Sequence, residues 1–193
     1  MPSLLIIDNY DSFTWNLVDR VRALGRCSVT TVRNDAISKE LLTNYTPDAL
    51  LISPGPGGPE SAGVSKDAFT HFKGKIPILG VCLGHQLITT CYGGVVAPSG
   101  APVHGEAHRI YHNGTGLFSS LPSPFLAARY HSLIATQVPP QLQIDATTED
   151  GTVMAISDSA HRIYGIQFHP ESFLTEHGDT ILDNFLHFAI GSR

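Results

Sequence analysis

The chain has little charge, little sulfur and no long apolar run. Only 15% of its 193 residues are Asp, Glu, Lys or Arg, and the formal net charge is −5. No basic excess is present to follow a phosphate backbone, which argues against nucleic acid as a partner. No apolar stretch approaches the ~20 residues that span a bilayer, so no membrane role is expected. The first apolar run, Leu4 to Ile7, is broken by Asp8 and has no basic residues before it. It is therefore not expected to act as a secretory signal. Three cysteines, Cys27, Cys82 and Cys91, are too few and too scattered for a disulfide framework. They suit a reducing cytoplasm, and one of them is available as a nucleophile.

Against these absences stands an apolar content of 42%. That fraction at this length suits one domain with a real core, spanning residues 1–193. Short runs of Ile, Leu and Val alternate with helix-like segments. Leu4 to Ile7 reads as a buried strand. Asp11 or Ser12 can cap the helix that follows, whose apolar positions are Phe13, Leu17, Val21 and Leu24, and Gly25 ends it. Cys27 to Val32, Leu50 to Ile52 and Ile76 to Leu79 read as further strands. Ser38 starts a short helix, and another runs from about Gly84 to Cys91. This rhythm predicts an α/β fold with a mostly parallel central sheet flanked by helices. After Gly93, glycine, proline and threonine rise. Ala107 to Tyr111, Phe125 to Arg129, Leu142 to Thr147, Val153 to Ile156 and Ile163 to Phe168 then read as mixed or antiparallel strands. A last helix is expected from about Glu176 to Ile190, with Ile181, Phe185 and Phe188 on one stripe.

Gly80-Val81-Cys82-Leu83-Gly84 follows an apolar run and precedes a helix. The spacing fits a nucleophile elbow with cysteine in the serine position. Small residues two positions either side let the turn close, and the helix N-terminus favours negative charge on the sulfur. The Leu83 N–H then faces the place where an oxyanion would form. Read alone, the pentapeptide also allows Cys82 as a small buried hydrophobe; Cys27 and Cys91 read as structural. A cysteine nucleophile needs an oriented base. His169-Pro170-Glu171 follows a predicted strand, placing imidazole and carboxylate where parallel-sheet sites form. Ser53-Pro54-Gly55-Pro56-Gly57-Gly58-Pro59 follows another. Its prolines stiffen the loop and its glycines let backbone approach a ligand, so it can supply a second oxyanion donor. It lacks the lysine and spacing of a phosphate-binding loop.

Two other clusters carry alternatives. His104, Glu106 and His108 alternate, so on a regular strand they share one face. They could hold zinc with a further ligand, or be polar surface near a protein interface. The cluster from Asp8 to Ser12 reads as a phosphate-accepting or metal site, or as a strand end and helix cap.

Taken together, the Pro-Gly-Pro-Gly loop, the elbow Gly80-Val81-Cys82-Leu83-Gly84-His85-Gln86 and the stretch Gln167-Phe168-His169-Pro170-Glu171-Ser172 resemble the class I, triad-type glutamine amidotransferases. The opening from Asp8 to Asn16 and the stretch Arg129-Tyr130-His131-Ser132-Leu133 are similar to the small subunits of anthranilate synthase and aminodeoxychorismate synthase.

The resemblance implies Cys82 as nucleophile, His169 as base and Glu171 as its orienter. Backbone N–H groups of Gly55 and Leu83 would form the oxyanion hole. Gln86, Ser132 and Leu133, with the Gly55, Pro56 and Gly57 backbone, would hold L-glutamine. It also implies ammonia delivery to a chorismate-binding synthase large subunit in a heteromer. No cofactor or metal is expected in this chain, and magnesium is expected in the partner. The alternative is a catalytically silent binding or regulatory subunit of the same fold. One stretch departs from the family pattern of His-Gly-Lys, a small residue and Ser: here it is His104-Gly105-Glu106-Ala107-His108. Gly58 also stands where relatives more often carry Thr or Cys.

Overall fold

Alternation along the first strand sets up the layers. In the computed structural model, which describes residues 1–191, Ser3–Asp8 forms β1. Leu4 and Ile6 point to one side, into a core shared with Leu17, Val18 and Val21 of α1 (Thr14–Ala23) and Ile181 and Phe185 of α5 (Gly178–Ile190). Leu5 and Ile7 point to the other side, against Phe69 of α3 (Ser65–Phe72) and Leu87 and Ile88 of α4 (Leu83–Cys91). Each such fully buried side chain contributes roughly 1.5–3 kcal/mol of apolar transfer energy. A strand buried on both faces is therefore apolar at every position, and β3 (Ala49–Ile52) and β4 (Ile78–Val81) are.

Among the described residues, nine strands form one sheet in the order β2-β1-β3-β4-β9-β8-β7-β5-β6. The half from β2 (Ser28–Arg33) through β1, β3, β4 and β9 (Ile163–Ile166) is parallel. Beyond β9 the neighbours β8 (Val153–Asp158), β7 (Gln143–Thr147), β5 (Val95–His112) and β6 (Phe125–Gln137) run antiparallel. This is the predicted architecture. The two final positions of the predicted 1–193 domain lie outside the described residues.

Four details differ from the sequence expectation. α3 carries no strong start signal, and its N-cap Val64 makes no side-chain cap bond; burial of Ala68, Phe69 and Phe72 makes it a helix. β9 ends at Ile166 rather than Phe168, because Phe168 turns into the core among Phe118 and Phe125. α1 begins at Thr14 with Phe13 as its N-cap, and Asp11, two residues before that cap, accepts the Phe13 N–H at 2.7 Å. β5 starts well before Ala107, as one arm of a long ribbon with β6. Ser38 does cap α2 (Lys39–Leu42), and Gly25 does end α1 in a left-handed conformation.

The parallel strands β1, β3, β4 and β9 all end on one side. Residues 9–13, the loop from Ser53, Cys82 and the turn from Gln167 to Glu171 therefore gather at that edge.

Candidate active site

Cys82 sits between β4 and α4 with φ 53° and ψ −101°. A non-glycine residue held there stores of the order of 1–3 kcal/mol of strain. The turn closes because its flanks are glycine. A Cβ on Gly80 would lie 2.4 Å from the Gly84 carbonyl group, and one on Gly84 would lie 2.4 Å from the Ile52 oxygen. The Cys82 N–H donates to the Ile166 carbonyl at 2.8 Å, tying the elbow to β9. Leu83 is the first residue of α4, so its N–H has no partner within the helix.

His169 is buried and its Nδ1 lies 2.6 Å from Oε1 of Glu171, itself buried. The turn carrying both is fastened from several directions. The His169 N–H donates to the Ala128 carbonyl at 3.1 Å, and Thr175 Oγ1 donates to the His169 carbonyl at 2.6 Å. Arg20 of α1 donates from Nε to the Glu171 carbonyl at 2.9 Å. The ring stands edge-on to Tyr130 at 5.1 Å, and Phe13 lies 6.1 Å away. Among the described residues, buried His169 Nε2 has no hydrogen-bond partner of normal geometry. Burial opposes charge on this ring, but the approach of Cys82 and the bond to Glu171 outweigh it and raise its pKa well above the usual histidine range.

A cleft of about 390 Å³ brings Cys82, His169, Gly55 and Pro56 together with Tyr10, Asp11, Ser12, Phe13, His104 and Tyr130. Gly55 is there because nothing larger fits: a Cβ would come within 2.7 Å of the Asn9 backbone oxygen and of Leu83. Asn9 holds the loop. It donates from its backbone to Ser53 Oγ at 2.9 Å and from Nδ2 to the Ser53 carbonyl at 3.0 Å. Its Oδ1 accepts from Asn34 and Ser65.

The other nearby histidines and thiols are unsuited to the same work. Burial pushes His85 down to about 3, and burial together with Arg129 pushes His131 down to about 4, so both are neutral. Burial raises the thiols of Cys27 and Cys91 and keeps them protonated.

Of the other predicted glutamine-holding residues, Gln86 is buried and donates to the Leu133 carbonyl at 3.2 Å. Gly57 is in a left-handed conformation in the loop beside Ser61, and Ser132 is exposed on β6. Reasoning from sequence missed Tyr130 and His104 as walls of the cleft, and Asn9 as the anchor of the loop.

The expectation that His104, Glu106 and His108 share one face is overturned. Gly105 has φ 74°, and the register shifts between His104 and Glu106. His104 stands opposite Tyr130, whereas Glu106 stands opposite Arg129, the next residue along β6. Neighbours on a strand point to opposite faces. The bulge thus sends His104 to the cleft and Glu106 and His108, 3.6 Å apart, to the other side.

Residues 5–189 match the family model described as glutamine amidotransferase class-I. The chain is 45% identical over 189 residues to the bifunctional protein TrpGD of Thermotoga maritima, covering 96% of this chain but only 32% of that protein. It is 45% identical over 185 residues to the aminodeoxychorismate/anthranilate synthase component 2 of Bacillus subtilis, covering 95% of each. A Thermoplasma acidophilum structure provisionally assigned to GMP synthase superposes with a TM-score of 0.87 at 25% identity, covering 99% of this chain and 95% of that one. On the extent of the family match, this chain belongs to the class-I glutamine amidotransferases.

Proposed function

We propose that the chain hydrolyses L-glutamine to glutamate and ammonia through Cys82, His169 and Glu171, as the glutaminase component of a chorismate-aminating synthase. The observation that carries this reading is the His169 ring. One nitrogen is paired with buried Glu171 at 2.6 Å, and the other is unpartnered in a cleft beside a strained cysteine.

The raised pKa of His169 gives the order of proton movements. The imidazole holds the proton and the sulfur attacks the side-chain carbonyl carbon of glutamine. The C–O electrons move to oxygen, and the N–H groups of Gly55 and Leu83 receive that charge. One such donor contributes roughly 3 kcal/mol to an acyl-transfer transition state. As the oxyanion collapses, His169 gives its proton to the departing nitrogen, and ammonia leaves a γ-glutamyl thioester on Cys82. His169, now neutral, takes a proton from water, which attacks the thioester. Glutamate departs and the sulfur and imidazolium are restored. Glu171 holds the ring in the required tautomer throughout. Gln86, Ser132, Leu133 and the backbone from Gly55 to Gly57 hold the amino acid. No metal or cofactor enters these steps, and magnesium belongs to the partner.

The relatives named above support a partner of the synthase large-subunit type, with aminodeoxychorismate, anthranilate or both as product. A reducing cytoplasm suits the free sulfur. The test is Cys82→Ser in the complex with its synthase. Glutamine-dependent product formation is expected to fall by more than about a thousandfold, while formation driven by added ammonia persists. Retention of the glutamine-dependent reaction would refute Cys82 as nucleophile, and absence of that reaction from the unaltered complex would favour a silent subunit.

A further inference from the structure

Cys82 and Gln167 are the first residues beyond two paired parallel strands. Gln167 follows Ile166, which stands opposite Val81 and accepts the Cys82 N–H. Sheet pairing thus places the two side chains together. Gln167 is wholly buried, and its Nε2 lies 3.6 Å from Cys82 Sγ, within reach of an N–H···S hydrogen bond.

An amide could present either its oxygen or its nitrogen to the sulfur, and the surrounding bonds decide which. The nitrogen of Gln86 lies 3.2 Å from the Leu133 carbonyl and 3.2 Å from Gln167 Oε1. A carbonyl can only accept, so Gln86 must turn its NH2 toward Leu133. The same NH2 then requires an acceptor on Gln167, which turns the Gln167 oxygen inward and its nitrogen to the sulfur. The far end is equally fixed. Arg129 can only donate, so His131 Nε2, 3.1 Å from Arg129 Nε, must accept. His131 Nδ1 then carries the proton and donates to the same Leu133 carbonyl at 3.0 Å. The neutrality of His131, whose pKa burial pushes down to about 4, agrees with that tautomer. A chain of bonds with two irreversible anchors, Arg129 and the Leu133 carbonyl, therefore determines the direction of every member.

We infer that Gln167 is a catalytic residue whose side-chain N–H donates to the sulfur of Cys82. Gln86, turned by the Leu133 carbonyl, also acts as a positioning residue that holds that amide in the donating orientation. This rests on Cys82 being the nucleophile. The bond is strongest when the sulfur is anionic, before attack on glutamine and again when the thioester breaks and the sulfur leaves. It acts from the buried side of the sulfur, while His169 and the solvent side of the cleft remain open to substrate.

Gln167→Met keeps the length of the side chain and removes the donor. A hydrogen bond to a charged group changes the anion population by about tenfold, and reactivity follows roughly half of that change on a logarithmic scale. The pH midpoint of Cys82 alkylation by iodoacetamide is thus expected to move upward, and at pH values below that midpoint alkylation should slow about threefold. In the synthase complex, kcat should fall and the KM for glutamine should stay within about twofold. A second measurement uses the unaltered sequence, so it does not depend on the variant folding. The Gln167 side-chain 1H–15N resonances should move when Cys82 is alkylated. Wild-type alkylation and kcat in folded Gln167→Met, or an unmoved Gln167 amide, would overturn the inference and leave Cys82 as nucleophile. If instead Cys82→Ser retains glutamine turnover, the underlying reading fails, whatever Gln167 does.

Discussion

The β4–β9 pair and the β5–β6 ribbon both supply the cleft, but they hold their side chains by different means. In the first, neighbouring parallel strands are buried on both faces, and the functional residues emerge within a residue or a few of the strand ends. Position follows from backbone pairing and from glycines that leave no space. In the second, the β5 arm of the ribbon is largely exposed, and the face each of its residues takes depends on the bulge at Gly105. One region fixes chemistry by packing, the other by register.

The difference predicts that the elbow tolerates less than the ribbon. Gly84→Ala places a methyl group 2.4 Å from the Ile52 carbonyl oxygen, a backbone atom that cannot swing aside. The loss is expected to be about 3 kcal/mol, the upper range for overpacking. Urea unfolding measures it directly. Stability equal to wild type would mean that the elbow and β3 can separate freely, and the contrast between the regions would fail.

This division also explains what was legible in the sequence. Cys82 with its flanking glycines, and His169 with Glu171, were visible because an elbow and a post-strand turn depend on residues adjacent in the chain. The parallel strands were visible because double-sided burial makes them apolar throughout. The face of Glu106 was misassigned because a left-handed Gly105 shifts the register, and a period-two reading assumes none. Tyr130 and His104 were missed as cleft walls because nothing local distinguishes an aromatic residue that meets His169 from one facing solvent. Asn9 was missed as the loop anchor for the same reason: its partners Asn34, Ser53 and Ser65 are distant in sequence.

His169 and His131, one from each region, differ in the sign of their pH dependence. His169 has a raised folded pKa. Its contribution to stability is complete below the unfolded value near 6.5 and is lost as pH rises through the folded value. His131 has a folded pKa depressed to about 4. Its contribution is present above ~6.5 and is lost as pH falls toward 4, because the unfolded chain takes up the proton first. Between pH 7 and 5, the His131 contribution should shrink by about 2 kcal/mol at 1.36 kcal/mol per unit. Unfolding free energies of wild type and His131→Gln at both pH values isolate that change, since His85 and His169 are common to both. A gap between the two proteins that does not vary with pH would show that His131 titrates normally.

The smallest effect tests the bulge itself. Gly105 has φ 74°, and an added Cβ would meet only the Tyr130 ring, at 3.3 Å. Gly105→Ala therefore forces a left-handed alanine against a side chain that can give way, at a cost of about 1 kcal/mol. Because Tyr130 stands edge-on to His169 at 5.1 Å, its displacement should also lower glutamine turnover, though by less than about tenfold. The telling comparison is with Gly84→Ala, since both changes add one methyl group to a glycine next to the site. If register alone organises the ribbon, Gly105→Ala affects turnover while leaving most of the stability intact, and Gly84→Ala removes both together. A stability loss at Gly105 as large as that at Gly84 would mean that the ribbon is packed as tightly as the sheet. The two regions would then hold their side chains in the same way.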